Sequence, residues 1–343
     1  MNTVAAFLHE NQARLGLERY GRLAGMQTLI LTPGFRASRH LIFLLVPEGQ
    51  RTPVLVAKVP RAADGGSSLD QEAMNLRAVH AAMPGGMDTI PRLVAYETYC
   101  GYPLLIETAI VGPLMNPAAV RAHRDSNCDL LLDWLVALER STASPADPTW
   151  FERLIEQPIA ELAHLLSFDD AEQQALEQTH RYTQALRTAD FPLVCEHGDL
   201  SHPNIILLSD SQVGVIDWEL ADPKGLPACD WFFFLSYVAS ALNKARTQEE
   251  HLKAFSSAFF GKTAWAGALI RRYAQSIGLA DDLLRPLFVA CWARYTAHLL
   301  LRLTEQQLAG TSVDADSATW LRSNRYYHYW RFTLDHLDQL SWT

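Results

Sequence analysis

The chain has 343 residues, 49% hydrophobic and 20% charged, with a formal net charge of −9. That composition excludes a disordered chain, and the length suits two lobes of roughly 100 to 230 residues. The acidic balance argues against a nucleic-acid partner, which needs a basic face.

Five cysteines (100, 128, 195, 229 and 291) are scattered and form no CxxC pair, so neither a zinc site nor a disulfide framework is expected. The N-terminus lacks a basic segment followed by a long apolar core, the mark of a signal peptide. The longest apolar stretch, near 231–242, is too short to span a bilayer. A cytoplasmic protein without a membrane partner is expected.

The opening run 3–16 reads as a helix, and from Gln27 the chain turns to strands. Runs 27–32, 40–46 and 53–59 are separated by Pro33-Gly34 and by Pro47-Glu48-Gly49-Gln50, which makes a meander of short strands. Lys58 lies inside the last of these, in VLVAKVPR. A lysine there either snorkels to water from a sheet edge or needs an opposite charge beside it, because a buried, unpaired ammonium is costly. Leu69-Asp70-Gln71-Glu72 then opens a helical run, and 102–112 (YPLLIETAIVG) is a further apolar strand ending in an acid and a glycine.

From Asn127 the pattern is helical: Leu131, Leu135 and Leu138 recur at i, i+4 and i+7 with Trp134 beside them, giving one buried face. Asp147-Pro148 breaks the chain. Helices are expected over about 151–166 and 169–188, with Pro158 kinking or splitting the first. Eight acids stand between Asp147 and Glu177 against the single Arg153, a pattern that is ordinarily a solvated helix face.

The densest stretch is 195–219, CEHGDLSHPNIILLSDSQVGVIDWE. Apolar runs 205–208 and 213–216 flank a polar turn, the signature of a β-hairpin. Asp199 and Asn204 precede its first strand and Asp217 follows its second, so the hairpin can bring the three together. Two carboxylates and an amide oxygen are hard donors that suit Mg²⁺, whose remaining ligands usually come from phosphates and water. The chemistry suggested is phosphoryl transfer from a nucleotide.

Beyond the hairpin, 222–227 reads as a loop and Asp230 as the N-cap of the apolar helix DWFFFLSYVASAL. Residues 247–343 read as three or four further helices, with Arg294, Tyr295, Tyr326, Tyr327, Tyr329 and Trp330 as packing residues. The acids of 147–177 lean towards a cationic acceptor, whereas Arg271, Arg272, Arg285 and Arg294 would equally serve an anion.

His197-Gly198-Asp199, four residues, Asn204, and then Ile216-Asp217-Trp218-Glu219 closely resemble the aminoglycoside phosphotransferase and choline kinase family. Its HGDxxxxN and IDxE motifs stand where protein kinases carry HRDxxxxN and DFG. The resemblance implies an α+β, bilobal protein-kinase-like fold, with a small antiparallel-sheet N-lobe (1–108) and a mostly helical C-lobe (109–343) that holds the hairpin 195–219 and the acceptor site. It implies transfer of the ATP γ-phosphate, with Mg²⁺, to a hydroxyl of a small acceptor: aminoglycoside-like, sugar or amino alcohol.

Carried over residue by residue, Asp199 would take or orient the acceptor's proton, and Asn204 and Asp217 would hold Mg²⁺. Lys58, paired with Glu72, would meet the nucleotide phosphates, and Ser38 would cap them from a loop that holds only Gly34. The backbone around Glu107 and Ala109 would meet the adenine edge, in a hinge one residue longer than the commonest spacing. His197 and Asp230 would be structural supports. In the family, helices inserted near 147–177 wall the acceptor pocket, with acidic groups where the acceptor is a polycation. The alternative is a catalytically silent kinase-fold protein that binds a nucleotide or a partner, and the complete Asp199, Asn204 and Asp217 set weighs against it. A protein kinase is disfavoured because only about a dozen residues separate Asp217 from Asp230, too few for an activation segment.

Overall fold

The structure, a computed structural model, describes residues 3–21, 25–32, 40–61, 67–83, 87–209, 212–304, 315–340 and 342. In chain order it begins α1 (Thr3–Glu10), β1 (Gln27–Leu31), β2 (His40–Val46), β3 (Leu55–Pro60), α2 (Ser67–Ala82), β4 (Leu93–Tyr99) and β5 (Tyr102–Thr108). Next come α3 (Pro117–Ala122), α4 (Arg124–Thr142), α5 (Gln157–Leu166), α6 (Asp170–Arg187), β6 (Val194–Glu196), the hairpin β7 (Ile205–Ser209) and β8 (Gln212–Val215), and β9 (Asp222–Gly225). The chain ends in α7 (Cys229–Leu242), α8 (Gln248–Phe259), α9 (Ala266–Ile277), α10 (Asp281–Thr304), α11 (Ala315–Arg322) and α12 (Arg325–Asp335).

Alternation along the first strands sorts their side chains onto two faces of an antiparallel sheet of order β1-β2-β3-β5-β4. Phe43 pairs with Ala57, Ala57 with Ile106 and Ile106 with Ala95, and this face is sealed by Val4, Phe7 and Leu8 of α1. The other face carries Ile42, Lys58 and Leu105 in one row and Leu44, Val56 and Glu107 in the next. Helix α2 packs its apolar side chains on that face at the β5 and β4 end, where Leu69 and Ala73 meet Leu105, Leu93 and Tyr96. Leu29 and Leu31, which register with Leu44 and Ile42, are left 58% and 47% exposed on edge strand β1. Half of this sheet face is therefore an open apolar platform that leads to Lys58.

The chain forms two compact units. The first comprises 1–115 with 197–199 and 203–223; the second comprises 116–196, 200–202 and 224–343. The hairpin, counted with the helical lobe on sequence grounds, is tied to the first unit by backbone contacts. Leu114 bridges Ile206, the Met115 N–H donates to the Ile205 carbonyl (2.8 Å), and the Val215 N–H donates to that of Thr89 (2.9 Å). Gly112 lies so close that a Cβ there would meet the Leu207 carbonyl oxygen at 2.4 Å, so only glycine fits.

In the second unit the expected stripe of α4 is buried, with Leu131, Leu135 and Leu138 fully enclosed. Pro158, which lacks an N–H, sits in the first turn of α5 directly after a π-helical turn at Glu152–Glu156, so the expected break takes the form of a widened turn. The acidic stretch is largely taken up locally. Asp147 accepts from the Thr149 N–H and hydroxyl, Glu156 pairs with Arg187, and Asp169 and Glu172 form a capping box on α6.

Three expectations are corrected. Beyond residue 247 the described residues form five helices, α8 to α12, where three or four were expected. Residues 222–225 form a short strand rather than a loop. The N-cap of α7 is Ala228, in a left-handed conformation (φ 69°), while Asp230 is the second helical residue and buried. No helix among the described residues is long and apolar enough to cross a membrane.

Candidate active site

Lys58 projects from β3 into a group of carboxylates, all within the first unit. Its ammonium pairs with Glu72 of α2, lies 3.1 Å from Asp217 Oδ1 and 3.7 Å from Glu107 Oε1. Lys58, Glu72 and Glu107 are all at most 4% exposed. Burial alone would push the lysine towards neutrality, but Glu107, Glu72 and Asp217 outweigh it and raise its pKa well above the usual value. The same burial lifts Glu72 to about 8, because the neighbouring carboxylates add to desolvation and Lys58 offsets only part. Glu107 is raised for the same reason, whereas Lys58 holds the Asp217 carboxyl below its ordinary value against the effect of burial. Glu72 Oε2 and Glu107 Oε2 have no hydrogen-bond partner among the described residues.

Helix α2 is fixed to the segment after the hairpin by more than the Glu72 pair. The Trp218 N–H donates to Glu72 Oε1 (3.3 Å), and the Asn75 amide, one turn along the same helix face, donates to the Trp218 carbonyl (2.9 Å). His40, first in β2, reaches Glu219 through Nδ1 (3.5 Å) and the Ser68 hydroxyl through Nε2 (2.8 Å). Between these anchors Asp217 adopts φ 72°, a left-handed backbone that Asp and Asn tolerate best among non-glycine residues. That turn leaves the Asp217 side chain 41% exposed while its Oδ1 stays on Lys58.

The loop before β7 is built around His197, which is fully buried. The Asp199 N–H donates to its Nδ1 (3.2 Å), so the ring carries its hydrogen on Nε2 and donates to the Ile216 carbonyl (3.1 Å). Burial, with Lys58 nearby, lowers the His197 pKa to about 4 despite the favourable pull of Asp217, and the ring sits edge-on to Trp218. One imidazole thus links the backbone of Asp199 to the residue before Asp217. Gly198 turns at φ 78°, with the Leu220 carbonyl oxygen 2.3 Å from where a Cβ would stand, which permits no side chain. The Asn204 amide nitrogen donates to the Asp199 carbonyl (2.9 Å) and to Asp199 Oδ2 (3.0 Å), which leaves its oxygen as the donor atom for a cation.

Asp199, Asn204, Asp217, Lys58, Glu72 and His197 therefore belong to one unit, joined by the contacts above. Among the described residues no group of three or more His, Cys, Asp or Glu is arranged to hold a metal. A pair made of the Asn204 amide oxygen and a half-exposed Asp217 carboxylate still fits Mg²⁺, which keeps several waters and binds through one or two protein oxygens plus phosphates. Ser38 lies outside the described residues. The Ala109 N–H is taken by the Val54 carbonyl (3.0 Å), so that donor is not open to a base edge. Glu107 was expected to matter through its backbone; the structure brings its side chain to Lys58. Asn75 was not anticipated, although its place three residues after Glu72 puts it on the same helix face.

A family model described as the phosphotransferase enzyme family, APH, matches residues 40–275. The chain belongs to this family. Among solved structures it is similar to aminoglycoside 2'-phosphotransferase-IIIa in its GDP complex, at 15% identity and TM-score 0.57, with 98% of this chain and 99% of that chain covered. It is likewise similar to the Plasmodium vivax ethanolamine kinase, at 12% identity and TM-score 0.55, covering 95% and 88% of the two chains. A third relative is the Streptomyces rimosus aminoglycoside phosphotransferase APH(3'')-Id in complex with ADP and streptomycin, at 17% identity and TM-score 0.52, covering 86% and 99%. At these identities the likeness is one of fold, and the fold is protein-kinase-like. No curated protein sequence matches the chain. Family membership makes the protein a small-molecule phosphotransferase.

Proposed function

We propose that this phosphotransferase acts in the cytoplasm as a kinase that moves the γ-phosphate of ATP, with Mg²⁺, to a hydroxyl of a small acceptor. The observation that carries the reading is the Lys58 ammonium between Glu72 and Asp217, in the same unit as an Asp199 carboxylate tied to Asn204. Glu72 and Glu107 keep Lys58 charged and aimed, so it meets phosphate oxygens without reorganising. Asn204 and Asp217 would hold Mg²⁺, which when bound supplies positive charge to the phosphates. The apolar platform of Leu29, Leu31, Ile42, Leu44 and Val56 beside Lys58 suits the flat face of a nucleobase.

Asp199 orients the acceptor hydroxyl and takes its proton as the oxygen bonds to the γ-phosphorus. The bond from that phosphorus to the β-phosphate oxygen breaks, and ADP leaves. Positioning and charge neutralisation supply most of the acceleration in such a transfer. The Asn204 amide on Asp199 Oδ2 fixes the carboxylate in its rotamer, and the neutral His197 holds the backbone that carries it.

The test is ADP release from purified protein with ATP, Mg²⁺ and a panel of amino alcohols, sugars, hydroxy acids and aminoglycosides. Asp199→Asn should lower turnover by roughly 10²–10⁴ while calorimetry shows Mg·ATP affinity unchanged. Full turnover by this variant would sink the role of Asp199. Nucleotide binding without ADP release from any acceptor would favour the silent kinase-fold reading instead.

A further inference from the structure

Glu107 interrupts an apolar row of the first unit's sheet. It stands in register between Val56 of β3 and Leu93 of β4, with Leu44 beyond Val56, and is 3% exposed. A buried carboxylate in such a row costs free energy unless charge and hydrogen bonds offset the lost water, whereas a branched apolar residue would continue the row without that cost. Among the described residues the one cation within ion-pair reach of Glu107 is Lys58, 3.7 Å from its Oε1, and its Oε2 has no hydrogen-bond partner.

Glu72 and Glu107 reach Lys58 by different routes. Lys58 stands opposite Leu105, so Glu107 is its diagonal neighbour on the same face, a placement of about 7–8 Å that long side chains bridge. The β3–β5 ladder, from Leu55 with Thr108 to Lys58 with Leu105, holds that geometry within the sheet itself. Glu72 instead sits on α2, and its orientation depends on the Trp218 N–H and on the Asn75 bond to the Trp218 carbonyl, 143 to 146 residues away along the chain. Two of the three Lys58 N–H hydrogens go to Glu72 and Asp217. At 3.7 Å Glu107 attracts the ammonium without taking the third, which is left for a phosphate oxygen.

Resting on the kinase reading above, we propose that Glu107 is a positioning residue for phosphoryl transfer, a sheet-borne anchor that aims Lys58 at the nucleotide phosphates independently of Glu72 and α2. One carboxylate fixes little more than a distance. A second, from another element, fixes the direction of the ammonium.

The experiment measures ADP release from Mg·ATP, with water and with the acceptor panel above as phosphate acceptors. The proteins are wild type, Glu107→Gln, Glu107→Asp, Glu72→Gln and the double variant of Glu72→Gln with Glu107→Gln. Calorimetry with Mg·ATP and with adenosine accompanies it. Glu107→Gln should lower kcat roughly 10-fold, the worth of one charge-assisted contact. Its Mg·ATP affinity should not fall, because the substitution takes a negative charge away from the phosphates, and its adenosine affinity should match wild type. Glu107→Asp keeps the charge and should recover part of the rate. The double variant should be slowed by at least the product of the two single effects, as expected of anchors that act separately. Wild-type turnover in Glu107→Gln overturns the proposal. So does a double variant no slower than Glu72→Gln alone, which would make Glu107 act through Glu72. A fall in adenosine affinity with Glu107→Gln also overturns it, by placing the carboxylate on the base rather than on the lysine. These three outcomes leave the kinase reading intact. Wild-type protein that binds Mg·ATP and releases no ADP with any acceptor overturns the kinase reading, and the role of Glu107 falls with it.

Discussion

Lys58 in the first unit and Arg294 in the second are both almost wholly buried, at 4% and 3% exposure, yet their carboxylate partners are satisfied differently. Arg294 is paired with Glu196. Both Glu196 oxygens accept its Nη1 hydrogens at 3.0–3.1 Å, and Oε2 also accepts from the Leu226 N–H (3.1 Å). Both carboxylate oxygens are hydrogen-bonded, which is what a buried pair needs merely to persist. Lys58 instead faces three carboxylates, two of which have a buried oxygen without a hydrogen-bond partner among the described residues. A fold gains nothing from that surplus. On the kinase reading proposed above, incoming positive charge would complete it, and an imbalance of this kind marks a candidate site rather than a structural pair.

Breaking the Arg294–Glu196 pair should give the largest effect on stability. Arg294→Met leaves Glu196 buried without its cation and should cost ~3–5 kcal/mol, read from the shift of a urea unfolding midpoint. The unbalanced cluster should respond in the opposite sense. Glu72→Gln should lower turnover by about 10- to 100-fold, ~1.4–2.8 kcal/mol in the barrier, with little loss of stability. The pH dependence sharpens the contrast. Because the Glu72 pKa is raised on folding, its stability contribution is intact below about 4.5 and is lost as pH rises through about 8. Wild-type Tm should therefore fall relative to Glu72→Gln between pH 6 and pH 9, and parallel curves would remove the excess-charge argument.

The smallest effect is expected at Glu172. Burial pushes this carboxyl up, but Arg322, the Asp169 N–H and the Tyr327 hydroxyl together bring it down to about 2. A lowered carboxyl contributes stability above its unfolded pKa of about 4.5 and loses it as pH falls through about 2. Glu172→Gln should thus be about 1 kcal/mol less stable than wild type at neutral pH, the usual worth of a cap. Acid titration should show the two proteins converging towards pH 2.

Much of this was legible in the sequence because it follows from local pattern. Strands β1, β2 and β3, the hairpin and helix α6 are written in alternation, turn residues and a capping box. The Lys58–Glu72 pair was expected as well. What was not legible depends on register and on neighbours distant in the chain. LVAYETY in β4 mixes polar and apolar residues without a clean period, and Asp-Pro-Lys-Gly in β9 is turn composition that becomes a strand. The Glu107 side chain reaches Lys58 only because it registers with Val56, two residues before it on the same face. Nothing local tells which arginines meet a carboxylate: Arg272 meets Asp129 and Arg294 meets Glu196, both far along the chain.

The first unit is also discontinuous: 1–115 is completed by 197–199 and 203–223. On a ribosome that adds ~5–20 residues per second, the sheet emerges roughly 5–20 s before the hairpin that bridges Leu114 and Ile206. Until then Glu72 lacks the Trp218 N–H, Asn75 lacks its carbonyl, and Lys58 lacks Asp217. A fragment that ends at residue 115 is accordingly an incomplete unit, and the nascent sheet waits on the intervening helical segment before its polar face closes. The residues that complete the candidate phosphate site are thus the same ones that end this vulnerable interval in synthesis. A ribosome stalled between residues 115 and 197 would carry a sheet whose missing contacts leave it open to chaperones and proteases.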